Sequence, residues 1–120
     1  MIASYNDLKD KTILITGASR GLGKKMAEAL AAQGAHVVFN YRGDEAAAMK
    51  LKEELEAIGA SKVTALLFDV TNTPQMKAAV EKFIEINGPI TGLVNNAGIS
   101  KDQIVLRMKE EDVVTETLRN

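Results

Sequence analysis

Along the chain, short β-branched runs alternate with longer stretches whose apolar residues recur at helical spacing. "TILIT" (Thr12–Thr16) reads as a strand buried on both faces, since a half-exposed strand would alternate apolar with polar. From Gly21 to Gln33, Leu22, Met26 and Leu30 recur every four residues, and Gly34 supplies the stop. "HVVFN" (His36–Asn40) predicts a second buried strand. Ala48, Leu51, Leu55 and Ile58 then share one face of a helix that Gly59 ends. "KVTALLFDV" (Lys62–Val70) predicts a third strand. Thr73 and Pro74 mark an N-cap and first turn before a helix with Met76, Val80, Phe83 and Ile84 facing inward. "TGLVNNAG" (Thr91–Gly98) predicts a fourth strand ending in a turn. A loop, "ISKDQIVLRMKEED", leads into a segment from about Glu110 to Asn120 that reads as helix. Strands and helices alternating through short joints predict βαβ units, hence one α/β domain built on a parallel sheet.

Composition narrows the function classes. With 120 residues, 46% of them hydrophobic, the chain is long enough for a packed core. A formal net charge of −1, with basic and acidic residues interleaved, offers no field for nucleic acid or an anionic membrane. There is no cysteine, which removes disulfides and thiolate chemistry, and the single His36 lies in an apolar run where it reads as a strand residue. No metal site is expected, because zinc needs several converging ligands. No apolar run approaches the ~18 residues of a membrane span, and the N-terminus lacks the layout of a signal peptide. A soluble, cytoplasmic protein is the expectation.

The chemistry concentrates in "TGASRGLG" (Thr16–Gly23), between the first strand and the first helix. A phosphate held at a helix N-terminus needs close backbone approach and free N–H groups. Gly17 permits the tight turn, while Gly21 and Gly23 open the helix with no Cβ in the way. The spacing Gly-x-x-x-Gly-x-Gly is neither the general dinucleotide fingerprint nor a Walker loop. A glycine-rich turn also serves as a plain βα connector, but its place after the first strand of a βαβ unit favours a dinucleotide. The end of the second strand addresses the ribose, where a carboxylate would select a free 2′-hydroxyl. Here Asn40, Tyr41 and Arg42 take that place, and Asp44 and Glu45 read as the start of the next helix. Arg42 and Arg20 suit a 2′-phosphate, so NADP(H) is favoured over NAD(H); the alternative is that both are surface arginines. Asp69 suits the adenine amino group with Val70 against the ring, or else caps a turn. "NNAG" (Asn95–Gly98) would border the same crevice, or be only a turn.

Together these residues resemble the short-chain dehydrogenase/reductase family. "TGASRGLG" matches its Thr-Gly-x-x-x-Gly-x-Gly cofactor motif and "NNAG" its second signature. Within the family, "LVNNAGISKDQIVLRMKEED" looks most like the bacterial 3-oxoacyl-[acyl-carrier-protein] reductases of fatty acid synthesis. The resemblance implies a Rossmann-like doubly wound sheet of order 3-2-1-4, and NADPH as cofactor. It places Gly17, Ser19, Arg20, Gly21, Leu22 and Gly23 around the pyrophosphate and neighbouring ribose, and Arg42 beside the 2′-phosphate. Asp69 and Val70 fall at the adenine, and Asn96, Ala97 and Gly98 along the nicotinamide ribose. Asn120 falls where the family keeps a helix Asn in its proton relay. The implied partner is a 3-oxoacyl thioester on acyl carrier protein.

The same resemblance exposes what is missing. The family polarises its substrate carbonyl with a Ser, protonates it with a Tyr and tunes that Tyr with a Lys four residues on. These would lie beyond residue 120, and the two tyrosines, Tyr5 and Tyr41, stand in the wrong places. Residues 1–120 are therefore expected to be the N-terminal half of a single Rossmann-like NADP(H)-binding domain, truncated after about four strands. Two readings stay open: the cofactor-binding half of an NADPH-dependent 3-oxoacyl thioester reductase, or an inactive nucleotide-binding or self-associating fragment. In either case the isolated chain is expected to lack turnover. An unpaired fourth strand would also expose Leu93 and Val94 and drive homo-oligomerisation or segment swapping.

Overall fold

A computed structural model of the chain describes residues 8–19, 21–95 and 114–117. The elements are β1 (Thr12–Thr16), α1 (Gly21–Ala32), β2 (His36–Tyr41), α2 (Glu45–Ile58), β3 (Lys62–Leu67), α3 (Thr73–Asn87), β4 (Gly92–Asn95) and β5 (Val114–Thr117). They form one parallel sheet of order β3-β2-β1-β4-β5. The expected Rossmann-like order 3-2-1-4 is present, with helices packed on both faces. Ile15 pairs with Phe39 and Val94, and Tyr41 pairs with Leu67, so the carboxyl ends of the strands gather along one edge.

Alternation along the strands sorts side chains between two cores. Ile13, Ile15, Val37, Phe39, Val63 and Val94 pack under α1 and α2, together with Leu30, Leu51 and Leu55. Leu14, Val38 and Leu93 face the other way, against Met76, Val80 and Phe83 of α3. Each large apolar side chain so buried contributes about 1.5–3 kcal/mol before entropy.

Several elements differ in detail from the sequence reading. The buried face of α1 is Gly23, Ala27, Leu30 and Ala31, one position away from the expected stripe, and Leu22 is exposed. Small residues there let α1 lie close to the sheet, so packing distance overrode the period of the large apolar residues. Ile58 at the end of α2 is likewise exposed. Asn72, rather than Thr73, caps α3, its side chain accepting from the Gln75 N–H. The third strand stops at Leu67, which leaves Asp69 in the following turn.

The largest departure is β5. Residues 114–117 form a strand, where helix was expected, and pair with β4 from Gly92 to Asn95. Val114, Thr115 and Thr117 are β-branched, which suits a pleated strand better than a helix. The fourth strand is therefore not an open edge. Leu93 and Val94 are fully buried, so the exposure expected to drive self-association is absent at that place. No helix among the described residues is long and apolar enough to cross a membrane.

Candidate functional site

The turns that follow β1, β2 and β3 enclose a cleft of about 740 Å³ at the carboxyl ends of the strands. That is where open α/β sheets place their ligands, and the volume lies in the range of small-molecule sites. Gly17, Ser19, Gly21 and Leu22 form one wall, Asn40, Tyr41 and Arg42 a second, and Asp69, Val70 and Thr71 a third.

The first wall is set by backbone geometry. Gly17 and Gly21 have φ of 70° and 61°, a left-handed conformation costly to other residues. A Cβ built on Gly21 would meet no atom within 4 Å. Glycine there supplies a turn and leaves open space before the N-terminus of α1. Gly23 lies two residues further in, buried in the helix and away from the cleft lining.

The second and third walls are tied together. The Phe68 N–H donates to the Tyr41 carbonyl at 3.0 Å, and the Asn40 side-chain amide donates to the Phe68 carbonyl at 3.1 Å. Asn40 Oδ1 is buried without a partner among the described residues. Asp44 is occupied as the N-cap of α2, accepting from the Ala47 N–H at 2.9 Å, as expected of it. Tyr41 packs partly into the core beneath α1 and α2.

Asp69 has two distinct oxygens. Oδ1 accepts from the Thr71 N–H at 2.9 Å and from the Thr71 hydroxyl at 2.7 Å, closing a tight turn. Oδ2 accepts from Arg42 Nη1 at 3.3 Å. The Thr71 N–H and hydroxyl, helped by Arg42, hold the Asp69 carboxyl below the ordinary carboxylate range. The turn-cap reading of Asp69 describes Oδ1, while Oδ2 is turned toward Arg42.

Gly17, Ser19, Gly21, Leu22, Arg42, Asp69 and Val70 are therefore brought to one cleft. Arg20, Asn96, Ala97, Gly98 and Asn120 lie outside the described residues. The sequence reading gave no site role to Asn40 or Thr71. The pattern Asp-x-Thr at residues 69–71 was a legible turn signal, whereas nothing local marks Asn40 as the link to β3. Tyr5 precedes Lys9 by four residues, the spacing of the family's Tyr-x-x-x-Lys. Tyr5 lies outside the described residues, and Lys9 lies beside Gly34 ahead of β2, at the end of the sheet away from the cleft. The match in spacing is not a match in place.

Comparison with known proteins agrees with this geometry. The model of the short chain dehydrogenase family matches residues 11–119. The 3-oxoacyl-[acyl-carrier-protein] reductase of Synechocystis sp. is 41% identical over 105 residues, 88% of this chain and 42% of that protein. The Staphylococcus aureus and Escherichia coli reductases of the same name, FabG, are each 38% identical, over 85% and 88% of this chain and 41% of theirs. The chain thus spans well under half the length of these relatives. Among solved structures, an NADH-dependent reductase A1-R' complexed with NAD superposes with a TM-score of 0.70 at 29% identity, covering 91% of this chain and 50% of that one. A putative gluconate dehydrogenase from Agrobacterium tumefaciens gives 0.65 at 34% identity, over 72% of this chain and 34% of that one. The chain belongs to the short chain dehydrogenase family.

Proposed function

We propose that this chain forms the adenosine-phosphate side of the cofactor site in an NADPH-dependent oxidoreductase that reduces 3-oxoacyl thioesters carried on acyl carrier protein. The observation that carries the cofactor choice is the end of β2. Asn40, Tyr41 and Arg42 stand where an NAD-selecting acid would, and Asp44, the carboxylate of that wall among the described residues, is engaged as the α2 N-cap by the Ala47 N–H. The one named structural relative with a stated cofactor is NADH-dependent, so likeness of fold alone does not decide the phosphate.

The cleft fits the group. The N-terminus of α1 opens onto it through Gly21 and suits a pyrophosphate, a guanidinium suits a 2′-phosphate, and Asp69 Oδ2 is an acceptor for the adenine amino group. Val70 would lie against the adenine ring, Gly17, Ser19, Arg20 and Leu22 would follow the phosphates, and Gly23 would let α1 pack closely behind them. Asn96, Ala97 and Gly98 would continue along the nicotinamide ribose, with Asn120 holding a water of the proton relay. When bound, the cofactor supplies the hydride for the keto carbon. This chain's described residues bind and orient it, and the Ser and Tyr-x-x-x-Lys of the family would complete the chemistry. Without them, residues 1–120 bind the cofactor and turn nothing over.

The 3-oxoacyl substrate rests on the names of the reductases above, and a soluble, cytoplasmic setting remains the expectation of the sequence. A homo-oligomer now rests on exposed Leu67 of β3 and Ile86 of α3 in place of β4. Titration of NADPH and NADH against the wild-type chain and Arg42→Ala tests the reading. The variant should weaken NADPH about tenfold and leave NADH nearly unchanged, the scale of one charge-assisted hydrogen bond. Equal losses for both would overturn it.

A further inference from the structure

We infer that Asp69 sets the degree of discrimination between phosphorylated and unphosphorylated cofactor by competing with the 2′-phosphate for Arg42. This rests on the cofactor reading above and adds a determinant to it. The carboxylate cannot turn away from Arg42 freely, because Thr71 holds Oδ1 with two hydrogen bonds. Oδ2 is left facing the guanidinium. The charges of Arg42 and Asp69 cancel at this corner of the cleft, so an arriving phosphate meets a neutral pair instead of a lone cation.

The pair is built to be exchanged. At 3.3 Å it is longer than the 2.7–2.9 Å of a strong charge-assisted bond. The Arg42 side chain is 76% exposed and the Asp69 side chain 27%, so the arginine is the mobile partner. A phosphate dianion offers the guanidinium a fork-shaped acceptor set that a single carboxylate oxygen does not. Arg42 therefore transfers from Asp69 to the phosphate when one is present, and stays with Asp69 when the ribose carries only a hydroxyl. The carboxylate in turn repels the phosphate, so it lowers the selectivity that Arg42 alone would give.

The test is a double-mutant cycle read as the ratio of NADH to NADPH dissociation constants. Asp69→Asn keeps an acceptor for Thr71 and removes the charge. The ratio should rise about two- to fivefold, the scale of an exposed ion pair. In the Arg42→Ala background the same change should raise the ratio less, because only the direct repulsion of the phosphate is then relieved. A ratio unmoved by Asp69→Asn, while Arg42→Ala still weakens NADPH selectively, overturns this inference and spares the cofactor reading. Equal loss of NADPH and NADH in Arg42→Ala overturns both. Carbon-13 NMR of the Asp69 carboxyl in the unsubstituted chain gives a second readout. Saturating 2′,5′-ADP should shift that resonance further than saturating 5′-AMP, and equal shifts would refute the transfer.

Discussion

The side-chain amide of Asn40 donates to the main-chain carbonyl of Phe68 across 3.1 Å, joining the end of β2 to the turn that carries Asp69. Two walls of the cleft are thereby held at a fixed separation, and Arg42 and Asp69 come within reach of each other. Asn40→Ala removes that tie. The expected cost is about 1 kcal/mol in chemical denaturation, the value of one part-buried hydrogen bond. NADPH binding should weaken as well, because the walls lose their link. Unchanged stability and binding would show that the Phe68 N–H to Tyr41 bond suffices alone.

The small-residue face of α1 makes a second prediction. Ala27 is fully buried where α1 meets the sheet, whereas Leu22 is 46% exposed at the mouth of the cleft. Ala27→Leu should destabilise by about 1–3 kcal/mol through overpacking. Leu22→Ala should change stability by less than about 0.5 kcal/mol. Thermal melts of the two variants would reverse in order if the large apolar residues of α1 formed its core face.

Acid sensitivity is expected from His36. Its ring is buried, with Nε2 2.9 Å from the Thr64 hydroxyl and its centroid 5.5 Å from that of the tilted Phe83 ring. Burial, and then the charge of Lys62, lower its pKa below the ordinary 6.5. The folded protein thus favours neutral imidazole, while the unfolded chain takes up a proton below that value. The His36 contribution is fully present above pH 6.5 and is lost as pH falls toward the folded-state pKa. Stability measured by denaturant should decline between about pH 7 and pH 5, and His36→Leu should flatten that decline. An equal slope in the variant would assign the acid sensitivity to other groups.

How far these features were legible varies along the chain for physical reasons. β1, β2 and the two-sided sheet were readable because buried parallel strands leave unbroken apolar runs, as in "TILIT" and "HVVFN". The glycine loop was readable because Gly17 and Gly21 occupy backbone conformations that few other residues tolerate. The face of α1 was misread because Gly23, Ala27 and Ala31 act through their small size, which periodicity of large residues does not register. β5 was misread because its pairing depends on β4, a partner remote in sequence. Arg42 and Asp69 were each identified singly, but their contact joins residues 27 positions apart and emerges only when β2 and β3 pair.

The most direct test of the central claim isolates the phosphate itself. The wild-type chain is titrated calorimetrically with 2′,5′-ADP and, separately, with 5′-AMP, two ligands that differ by the 2′-phosphate alone. Tighter binding of 2′,5′-ADP, with the advantage lost in Arg42→Ala, is the result expected of a cleft that selects NADP(H). Equal affinities, or tighter binding of 5′-AMP, would contradict it.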